Sequence, residues 1–315
     1  MYHHKIVVLL EQPVAHSAAL ERALAMARIT GAEVKLCVFV HWLAVDAVEQ
    51  LDAGVAGLAR KALMAESESW LHRQQKRLQA AGIHNSAEIV WERPMRTRML
   101  EKIHQEKPDL VIKEIQTESP LKRLMLTPVD WHLLRESGCD LMLVHADSTA
   151  LPPQVLAAVD PVSTVHSAGK LNERVVDAAR FMAALRPCDV ELAHVFESPH
   201  PMTLVEPVVY SSAFDKLYEQ SRQVSRERFR AFAEQHQIPA AAQHLLYGPP
   251  WVALSQQAGE APGNLLVLGS VHRSDLAAWV LGSTAERILD DARCDLLVVR
   301  PAKSATAEPG LSRWA

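Results

Sequence analysis

A glycine and two hydroxyl residues begin a predicted helix late in the chain, at Gly282, Ser283 and Thr284. Free backbone N–H groups and the positive end of the helix dipole favour a phosphate at such a position. An ordinary Ser/Thr cap preceded by a glycine gives the same pattern. Gly269 strengthens the phosphate interpretation, because it follows a buried apolar run and would let a ligand approach the backbone closely.

Short apolar runs alternate with amphipathic segments, which predicts an α/β doubly wound fold with parallel strands. In the second half the predicted strands are Val155–Val159, Val190–Phe196, Gln243–Tyr247, Leu265–Leu268 and Leu296–Val299. The predicted helices include Ala56–Ala80, Pro128–Glu136, Phe214–His236 and Ser283–Asp291. Ser17 and Asn172 are expected to cap the helices that follow the first strand of each half. Five strands with the first in the interior fit a flavodoxin-like sheet.

The chain contains two copies of one unit. When the sequence is displaced by 155 positions, Asp140–Val144 falls on Asp295–Val299, and a cysteine precedes each segment. The register holds without a gap from about Ala81 to Val144. The seam is expected near Leu151-Pro152-Pro153, which has the composition of a linker.

Two similar copies predict two domains, residues 1–150 and 151–303, and residues 304–315 are expected to form a flexible tail. The last strand of each copy would be an edge strand, and exposed edges tend to be paired or covered. Equivalent edges can pair antiparallel about a pseudo-twofold axis. We therefore expect the two five-stranded sheets to pack as a pseudo-dimer, and further homo-oligomerisation stays open.

Composition excludes several classes of protein. The 315 residues are 49% hydrophobic and 22% charged, which is ordinary for a globular protein and excludes a largely disordered chain. A net charge of −4 disfavours a nucleic-acid partner. No apolar stretch approaches the roughly 18 residues of a membrane span, and the run Ile6–Leu10 is too short for a signal peptide. With four sparse cysteines, a cytosolic protein with reduced thiols and no membrane partner is expected.

The predicted fold places any ligand site at the C-terminal ends of the strands. Ligands of open α/β sheets bind where the strand order reverses, and in the nucleotide-binding topology this crevice lies between strands 1 and 4. In the second copy Asp160 ends strand 1, and residues 269–272 follow strand 4. In the first copy the same positions hold Glu11 and residues 114–117.

These residues resemble the nucleotide motif of the universal stress protein family, Gly-x2-Gly-x9-Gly-(Ser/Thr). Its four positions are occupied here by Gly269, His272, Gly282 and Ser283. Residues 281–289, Leu-Gly-Ser-Thr-Ala-Glu-Arg-Ile-Leu, are similar to the C-terminal part of that family. Residues 127–135 and 171–176 resemble its tandem, E-type members, which carry two such units in one chain. The resemblance covers nearly the whole chain.

The resemblance implies a site for ATP or another adenine nucleotide, with magnesium if the ligand is ATP, in the second copy. It assigns binding roles to Asp160, Val195, Leu268, Gly269, His272, Gly282, Ser283 and Thr284. Asp160 would hold the adenosine portion and Val195 would line the base pocket, while the two glycines would give access to the backbone. Ser283 and Thr284 would bind phosphates through backbone and hydroxyl groups.

The departure from the motif is His272, where the family has its second glycine. Either its Cβ narrows the loop and excludes phosphates, or an imidazolium there donates to a phosphate oxygen; the sequence leaves both open. The first copy keeps none of the motif, because Glu114, Thr117, Thr127 and Pro128 occupy the four positions. A glutamate at the mouth of strand 4 would repel a phosphate, so at most one nucleotide per chain is expected.

No catalytic or metal-ligating residue is assigned. His194 and His244 on neighbouring strands, and Asp130-x-His132 on one helix, lack the spacing of a metal site. Two cysteines precede the last strands and are expected to be small buried residues, Cys139 and Cys294. Strand 2 of each copy is followed by one apolar segment, Trp42–Gly57 in the first copy and Pro199–Ala213 in the second. Each segment is expected either to cap the crevice or to pack between the copies.

The expected function is therefore that of a non-catalytic stress-response protein that binds an adenine nucleotide in its second copy. One alternative is a binding protein for a non-nucleotide apolar or anionic metabolite, with the nucleotide site lost through His272. A slow ATP hydrolase or kinase-like enzyme ranks last, because His272 is the only obvious general base near the phosphate position.

Overall fold

The structure of the chain is a computed structural model that describes residues 3–11, 13–40, 43–49, 51–91, 95–115, 128–163, 168–197, 212–259, 263–272, 279–280 and 294–301. The first repeat comprises β1 (Lys5–Leu10), α1 (Ala18–Thr30), β2 (Glu33–Phe39), α2 (Leu43–Glu49), α3 (Ala53–Ala80), β3 (Asn85–Val90), α4 (Met95–Glu106), β4 (Leu110–Ile115), α5 (Pro128–Glu136) and β5 (Asp140–His145). The second comprises β6 (Val155–Ala158), α6 (Ala168–Leu185), β7 (Val190–Phe196), α7 (Ser212–Gln235), a 3-10 turn (Ala240–Ala242), β8 (Gln243–Tyr247), α8 (Pro250–Ala258), β9 (Leu265–Gly269), β10 (Val271–His272), β11 (Trp279–Val280) and β12 (Asp295–Val299).

The predicted elements are largely confirmed. All five apolar runs of the second repeat form strands, and α5 has the predicted bounds. The helices α3 and α7 begin and end close to their predicted limits. The predicted helix Ser283–Asp291 and the expected tail 304–315 lie outside the described residues. Of the part of the chain that is described, no helix is both long and apolar enough to cross a membrane.

Ten strands form one continuous sheet in the order β3-β2-β1-β4-β5-β12-β9-β6-β7-β8. Successive side chains of a strand point to opposite faces, so β1 places Ile6 and Val8 in the apolar core on one face and Val7 and Leu9 in that on the other. Helices cover both faces. Strands buried on two sides account for the nearly continuous apolar runs in the sequence.

The α/β tandem fold is as predicted, but the flavodoxin-like strand order is wrong in detail. Each repeat has the order 3-2-1-4-5, with its first strand between its second and its fourth. This is the order of a mononucleotide-binding half, whereas flavodoxin has 2-1-3-4-5. The order therefore reverses between strands 1 and 4, which is where the sequence places the ligand crevice.

The two repeats join through their last strands, which confirms the predicted antiparallel pairing of equivalent edges. Leu143 of β5 pairs with Leu296 of β12, and Leu141 pairs with Val298. All other neighbouring strands of the large sheet are parallel among the described residues. Pairing removes both inner edges, so that β3 and β8 are the two edge strands among the described residues.

Equivalent aspartates at the start of β5 and β12 bind arginines of the opposite repeat. Nη2 of Arg22 in α1 lies 2.6 Å from Oδ2 of Asp295, and Nη2 of Arg174 in α6 lies 3.2 Å from Oδ2 of Asp140. Each arginine directly follows a glutamate in its helix, so the sequences of α1 and α6 can be aligned on these two Glu-Arg dipeptides. The first pair is fully buried, whereas the side chain of Arg174 is 36% exposed. The pseudo-symmetry thus holds in contacts but not in burial.

Only one of the two predicted helix caps is present. The Ser17 hydroxyl accepts a hydrogen bond from the Leu20 N–H at 3.3 Å and caps α1 as expected. The prediction for Asn172 is wrong, because α6 begins at Ala168 and Asn172 lies inside it. Its amide instead binds the chain after β6, a tertiary contact that a local pattern does not reveal.

The apolar segment Trp42–Gly57 contains α2 and the start of α3. Val45 of α2 is buried, and α2 packs against α3, so this segment covers its own repeat. Most of Pro199–Ala213 lies outside the described residues, and α7 begins at Ser212.

Candidate functional site

Three adjacent strands of the second repeat place four of the predicted site residues together, at the C-terminal ends of the strands. β6 lies between β7 and β9. Asp160 follows β6, Val195 lies near the end of β7, and Leu268 and Gly269 end β9. The strand order reverses between β6 and β9, so the C-terminal ends of these two strands border the switch point, where open α/β sheets bind ligands.

Asp160 is held through its main chain while its carboxylate stays accessible. The Asp160 N–H donates to Oδ1 of Asn172 at 3.0 Å, and Nδ2 of Asn172 donates to the Asp160 carbonyl at 2.9 Å. The Val162 N–H donates to Oδ1 of Asp160 at 3.2 Å in a local turn. The Asp160 side chain remains 63% exposed. A carboxylate in this position can accept hydrogen bonds from ligand hydroxyl groups.

His194 lies beneath Asp160 as a buried neutral imidazole. Its Nδ1 is 3.1 Å from the Val159 carbonyl oxygen and its Nε2 is 2.9 Å from Oγ of Ser225. A carbonyl only accepts, so Nδ1 carries the proton and Nε2 accepts from the Ser225 hydroxyl. Burial lowers the pKa of His194, and the nearby Asp160 carboxylate opposes this effect.

Ser225, His194 and Asp160 follow one another in space like the groups of a hydrolase. Nδ1 of His194 is 3.9 Å from Oδ1 of Asp160. Ser225, however, is only 1% exposed and lies within α7. No substrate can reach its hydroxyl in this arrangement, so these contacts join α7 to β7 rather than form a nucleophile.

Helix packing accounts for Gly269, which the sequence interpretation assigned to a ligand. A Cβ built on Gly269 would lie 2.7 Å from both Cγ and Cδ2 of Leu171 in α6. The next N–H, that of Ser270, donates to the Val299 carbonyl at 2.9 Å. Nη1 of Arg300 also donates to Oγ of Ser270 at 3.0 Å. Leu171 therefore covers Gly269, and the neighbouring N–H already has a backbone partner.

Of the remaining motif positions, His272 lies within the described residues. His272 lies in β10 and pairs antiparallel with Trp279 of β11, at a position where the motif spacing predicts a loop. Gly282, Ser283 and Thr284 lie outside the described residues. The structure thus gathers the adenosine-side residues of the predicted site, while the predicted phosphate-side residues stay a prediction.

The equivalent crevice of the first repeat is filled by its own charged side chains. Nζ of the buried Lys113 lies 2.7 Å from Oε1 of Glu11, 2.8 Å from Oδ1 of Asp130 and 3.3 Å from the Glu114 carbonyl oxygen. Burial alone would lower the pKa of Lys113, but the attraction of Asp130 and Glu11 raises it above its usual value. The ammonium is therefore charged and neutralises the carboxylate that matches Asp160.

Where the first helix of each repeat meets its fourth strand, the two repeats place the large and the small residue on opposite elements. When α1 and α6 are aligned on their interface arginines, Ala19 matches Leu171, and the 155-residue repeat matches Glu114 with Gly269. In the first repeat Oε2 of Glu114 accepts from the Ala19 N–H at 3.5 Å. In the second, Leu171 occupies the space that the missing side chain of Gly269 leaves. One large side chain fills each position, but from opposite elements.

The other histidine and cysteine candidates have structural partners. His194 is out of register with His244, which pairs with Ala193, so the two side chains leave the sheet on opposite faces. Nε2 of His244 is 2.7 Å from Glu191, and Nδ1 of His132 is 3.0 Å from Glu136. Cys139 and Cys294 are buried as predicted, and burial raises the pKa of Cys294 to about 12. Within the described ranges, no group of three or more His, Cys, Asp or Glu residues could hold a metal.

Sequence reasoning missed two residues that shape these crevices. Lys113 interrupts the apolar run of β4, and a lysine inside a buried strand signals an internal ion pair. Asn172 lies on the apolar face of α6 with Val175, Val176 and Ala179, where a buried amide needs a hydrogen-bond partner. The lysine is visible in the sequence alone, whereas the asparagine becomes a signal only once the structure gives the start of α6.

Comparisons with known proteins agree with the tandem architecture. Universal stress protein E of Escherichia coli K12 is 25% identical over 311 residues, covering 96% of this chain and 95% of that protein. A homologue of universal stress protein E from Haemophilus influenzae is 26% identical over 223 residues, covering 70% and 71%.

Solved structures show the same fold. A functionally unknown protein from Pseudomonas aeruginosa PAO1 matches with a TM-score of 0.71 and 24% identity, covering 95% of this chain and 93% of that one. A universal stress protein from Archaeoglobus fulgidus matches with a TM-score of 0.58 and 15% identity, covering 94% and 98%. The profile of the universal stress protein family matches residues 1–145 and again residues 154–300. The chain therefore belongs to the universal stress protein family, with two units of that family in tandem.

Proposed function

We propose that this chain is a cytosolic, non-catalytic stress-response protein that binds an adenine nucleotide in its second repeat. The observation that carries the proposal is the exposed Asp160 carboxylate, held by Asn172 at the switch point between β6 and β9. In the proposed division, residues 1–150 form a repeat without a nucleotide site and residues 151–303 form the binding repeat.

The geometry suits the adenosine part of a nucleotide. The carboxylate oxygens of Asp160 can accept from two adjacent ribose hydroxyls, because an ionised carboxylate is an acceptor only. Val195, half-buried at the end of the next strand, offers an apolar surface for the base. The phosphates, with magnesium in the case of ATP, are assigned to Gly282, Ser283 and Thr284 by the motif.

Two observations favour the alternative of a non-nucleotide ligand. Leu171 covers Gly269, and His272 belongs to a short antiparallel strand pair where the motif predicts a phosphate loop. Both lie at positions that the motif assigns to phosphate binding. In this alternative Asp160 would bind hydroxyl or amino groups of another metabolite.

The test combines identification of the natural ligand with a titration. Protein purified without added nucleotide is denatured, and the released compounds are identified by mass spectrometry. In parallel, ATP with magnesium is titrated into the wild type, Asp160→Ala and the control Asp177→Ala, which removes an exposed carboxylate from α6. We expect an adenine compound, and binding that is weakened at least about tenfold only in Asp160→Ala.

Two results would contradict the proposal. Release of a compound without an adenine group, together with no ATP binding by the wild type, would favour the non-nucleotide ligand. Release of inorganic phosphate from ATP at a rate that depends on His272 would show catalysis and overturn the non-catalytic assignment.

A further inference from the structure

Asn172 is a buried polar residue on the apolar face of α6. It is 8% exposed, and the residues three, four and seven positions later, Val175, Val176 and Ala179, all belong to the apolar core. Asparagine has a modest helix propensity, and its amide costs free energy when buried without partners. A leucine would suit this position better if packing were the sole requirement, and the first repeat indeed has Leu20 there.

The amide of Asn172 is fully committed to one residue, Asp160. Its Oδ1 accepts from the Asp160 N–H at 3.0 Å, and its Nδ2 donates to the Asp160 carbonyl at 2.9 Å. This pairing fixes the orientation of the amide, because an N–H needs an acceptor and a carbonyl needs a donor. The two bonds hold the peptide groups on both sides of the Asp160 Cα, while the carboxylate takes no part in them.

The adjacent Leu171 contacts the other side of the same crevice. It packs on Gly269 at the end of β9, while Asn172 binds the chain just after β6. The second turn of α6 therefore touches both strand ends that border the switch point. In the first repeat, where Leu20 replaces the asparagine, the carboxylate of Glu11 is bound to Lys113 instead.

We propose that Asn172 is a positioning residue for ligand binding: its amide holds the main chain of Asp160 so that the carboxylate meets the ligand in a fixed orientation. This inference rests on the proposed function of the second repeat. The positioning role predicts that removing the Asn172 amide reduces the free energy of ligand binding by weakening the contribution of Asp160. Asn172 itself need not touch the ligand.

The experiment is a double-mutant cycle on the full-length chain. ATP with magnesium and, separately, adenosine are titrated calorimetrically into the wild type, Asn172→Ala, Asp160→Ala and the double variant. Asn172→Ala should weaken binding about tenfold, and it should have little further effect when Asp160 is already alanine. Asn264→Ala is the matched control, because Asn264 is an equally buried asparagine that binds the Ala258 carbonyl at 2.8 Å at the opposite end of the sheet.

Thermal unfolding of each variant separates positioning from general destabilisation. Asn172→Ala and Asn264→Ala should lower the melting temperature to a similar extent, but only the former should weaken binding. Equal affinities of wild type and Asn172→Ala, or additive losses in the cycle, would overturn the positioning role while leaving the proposed function intact. No binding of either probe by the wild type would instead refute the proposed function, and this inference with it.

Discussion

The two repeats share a fold and differ in how they fill the same crevice. In the first, Lys113 lies between Glu11 and Asp130, so opposite charges are satisfied inside the protein. In the second, the matching carboxylate of Asp160 is 63% exposed, Asn172 holds its main chain, and the Val162 N–H donates to its Oδ1. A duplicated crevice can thus keep its geometry while one copy pairs its carboxylate with its own side chains and the other leaves the carboxylate exposed.

The same asymmetry occurs at the interface between the repeats. Arg22 and Asp295 are fully buried, whereas the equivalent Arg174 is 36% exposed. Breaking a buried pair leaves an uncompensated charge, and a partly exposed pair is screened by water. The variants below test how far the repeats differ, starting with the change expected to have the largest effect.

Arg22→Ala should have the largest effect of these variants. It leaves the buried Asp295 carboxylate without its cation, so the free energy of unfolding should fall by about 4 kcal/mol. The equivalent change, Arg174→Ala, should lower it by about 1 kcal/mol or less. Chemical denaturation of both variants measures the difference, and equal losses would show that the two interface pairs contribute alike.

Lys113→Leu introduces the residue that the second repeat has at the equivalent position. Asp130 then remains buried without its ammonium, and the free energy of unfolding should fall by about 3 kcal/mol. Glu11 is 28% exposed and can recover water contacts, which limits the loss. The double variant Lys113→Leu with Asp130→Ala reproduces the second repeat, and it should recover to within about 1 kcal/mol of the wild type. A double variant as unstable as the single one would contradict the ion-pair account.

Gly269→Ala tests whether the glycine serves helix packing. The added methyl group meets Leu171, so the free energy of unfolding should fall by about 2 kcal/mol, as in other overpacked cores. In a Leu171→Ala background, which is itself destabilised by the cavity it creates, the further loss caused by Gly269→Ala should be smaller than in the wild type. Glu114→Ala, the matched change in the first repeat, puts alanine where a larger side chain already fits. An unchanged stability of Gly269→Ala would contradict the packing role of the glycine.

A smaller effect is expected from His194, where the first repeat has Val38. Burial holds its pKa in the folded protein below the ordinary value near 6.5. As pH falls below about 6.5, the unfolded chain takes up a proton that the folded chain resists, so the free energy of unfolding should fall. Above that pH both states are neutral and His194 gives no pH dependence.

Denaturation at pH 7.5 and pH 5.5 measures this effect. His194→Asn keeps a donor for the Val159 carbonyl and should reduce the loss of stability at the lower pH. His132→Asn is the control, since His132 is more exposed and lies beside Glu136. An identical acid sensitivity of wild type and His194→Asn would show that folding does not lower the pKa of His194.

The sequence predicts the strands and helices well because the patterns that specify them are local, and it predicts the joining of the repeats because the repeat is visible in the sequence. Buried parallel strands need continuous apolar residues, as in Leu265–Leu268, and helix α5 shows its limits through Pro128 and its apolar spacing. The repeat of 155 residues predicts the antiparallel pairing of β5 with β12, because equivalent edges must be paired or covered.

The site is less predictable because its residues have more than one use. An asparagine before an apolar helical face is typical of a cap, yet Asn172 binds Asp160, twelve positions earlier. A glycine at a strand end permits a close ligand or a close helix, and the contact of Gly269 with Leu171 in α6 is not visible in the local sequence. Such choices depend on tertiary contacts that no local pattern contains.

The most direct test of the central claim is the number of nucleotides bound per chain and their location. Calorimetric titration of ATP with magnesium into the full-length protein should give one site per chain. The affinity of that site should fall at least about tenfold in Asp160→Ala and stay unchanged in Glu11→Ala, the equivalent variant of the first repeat. Two equal sites, or one site whose affinity is unchanged in Asp160→Ala and weakened in Glu11→Ala, would contradict the assignment of ligand binding to the second repeat.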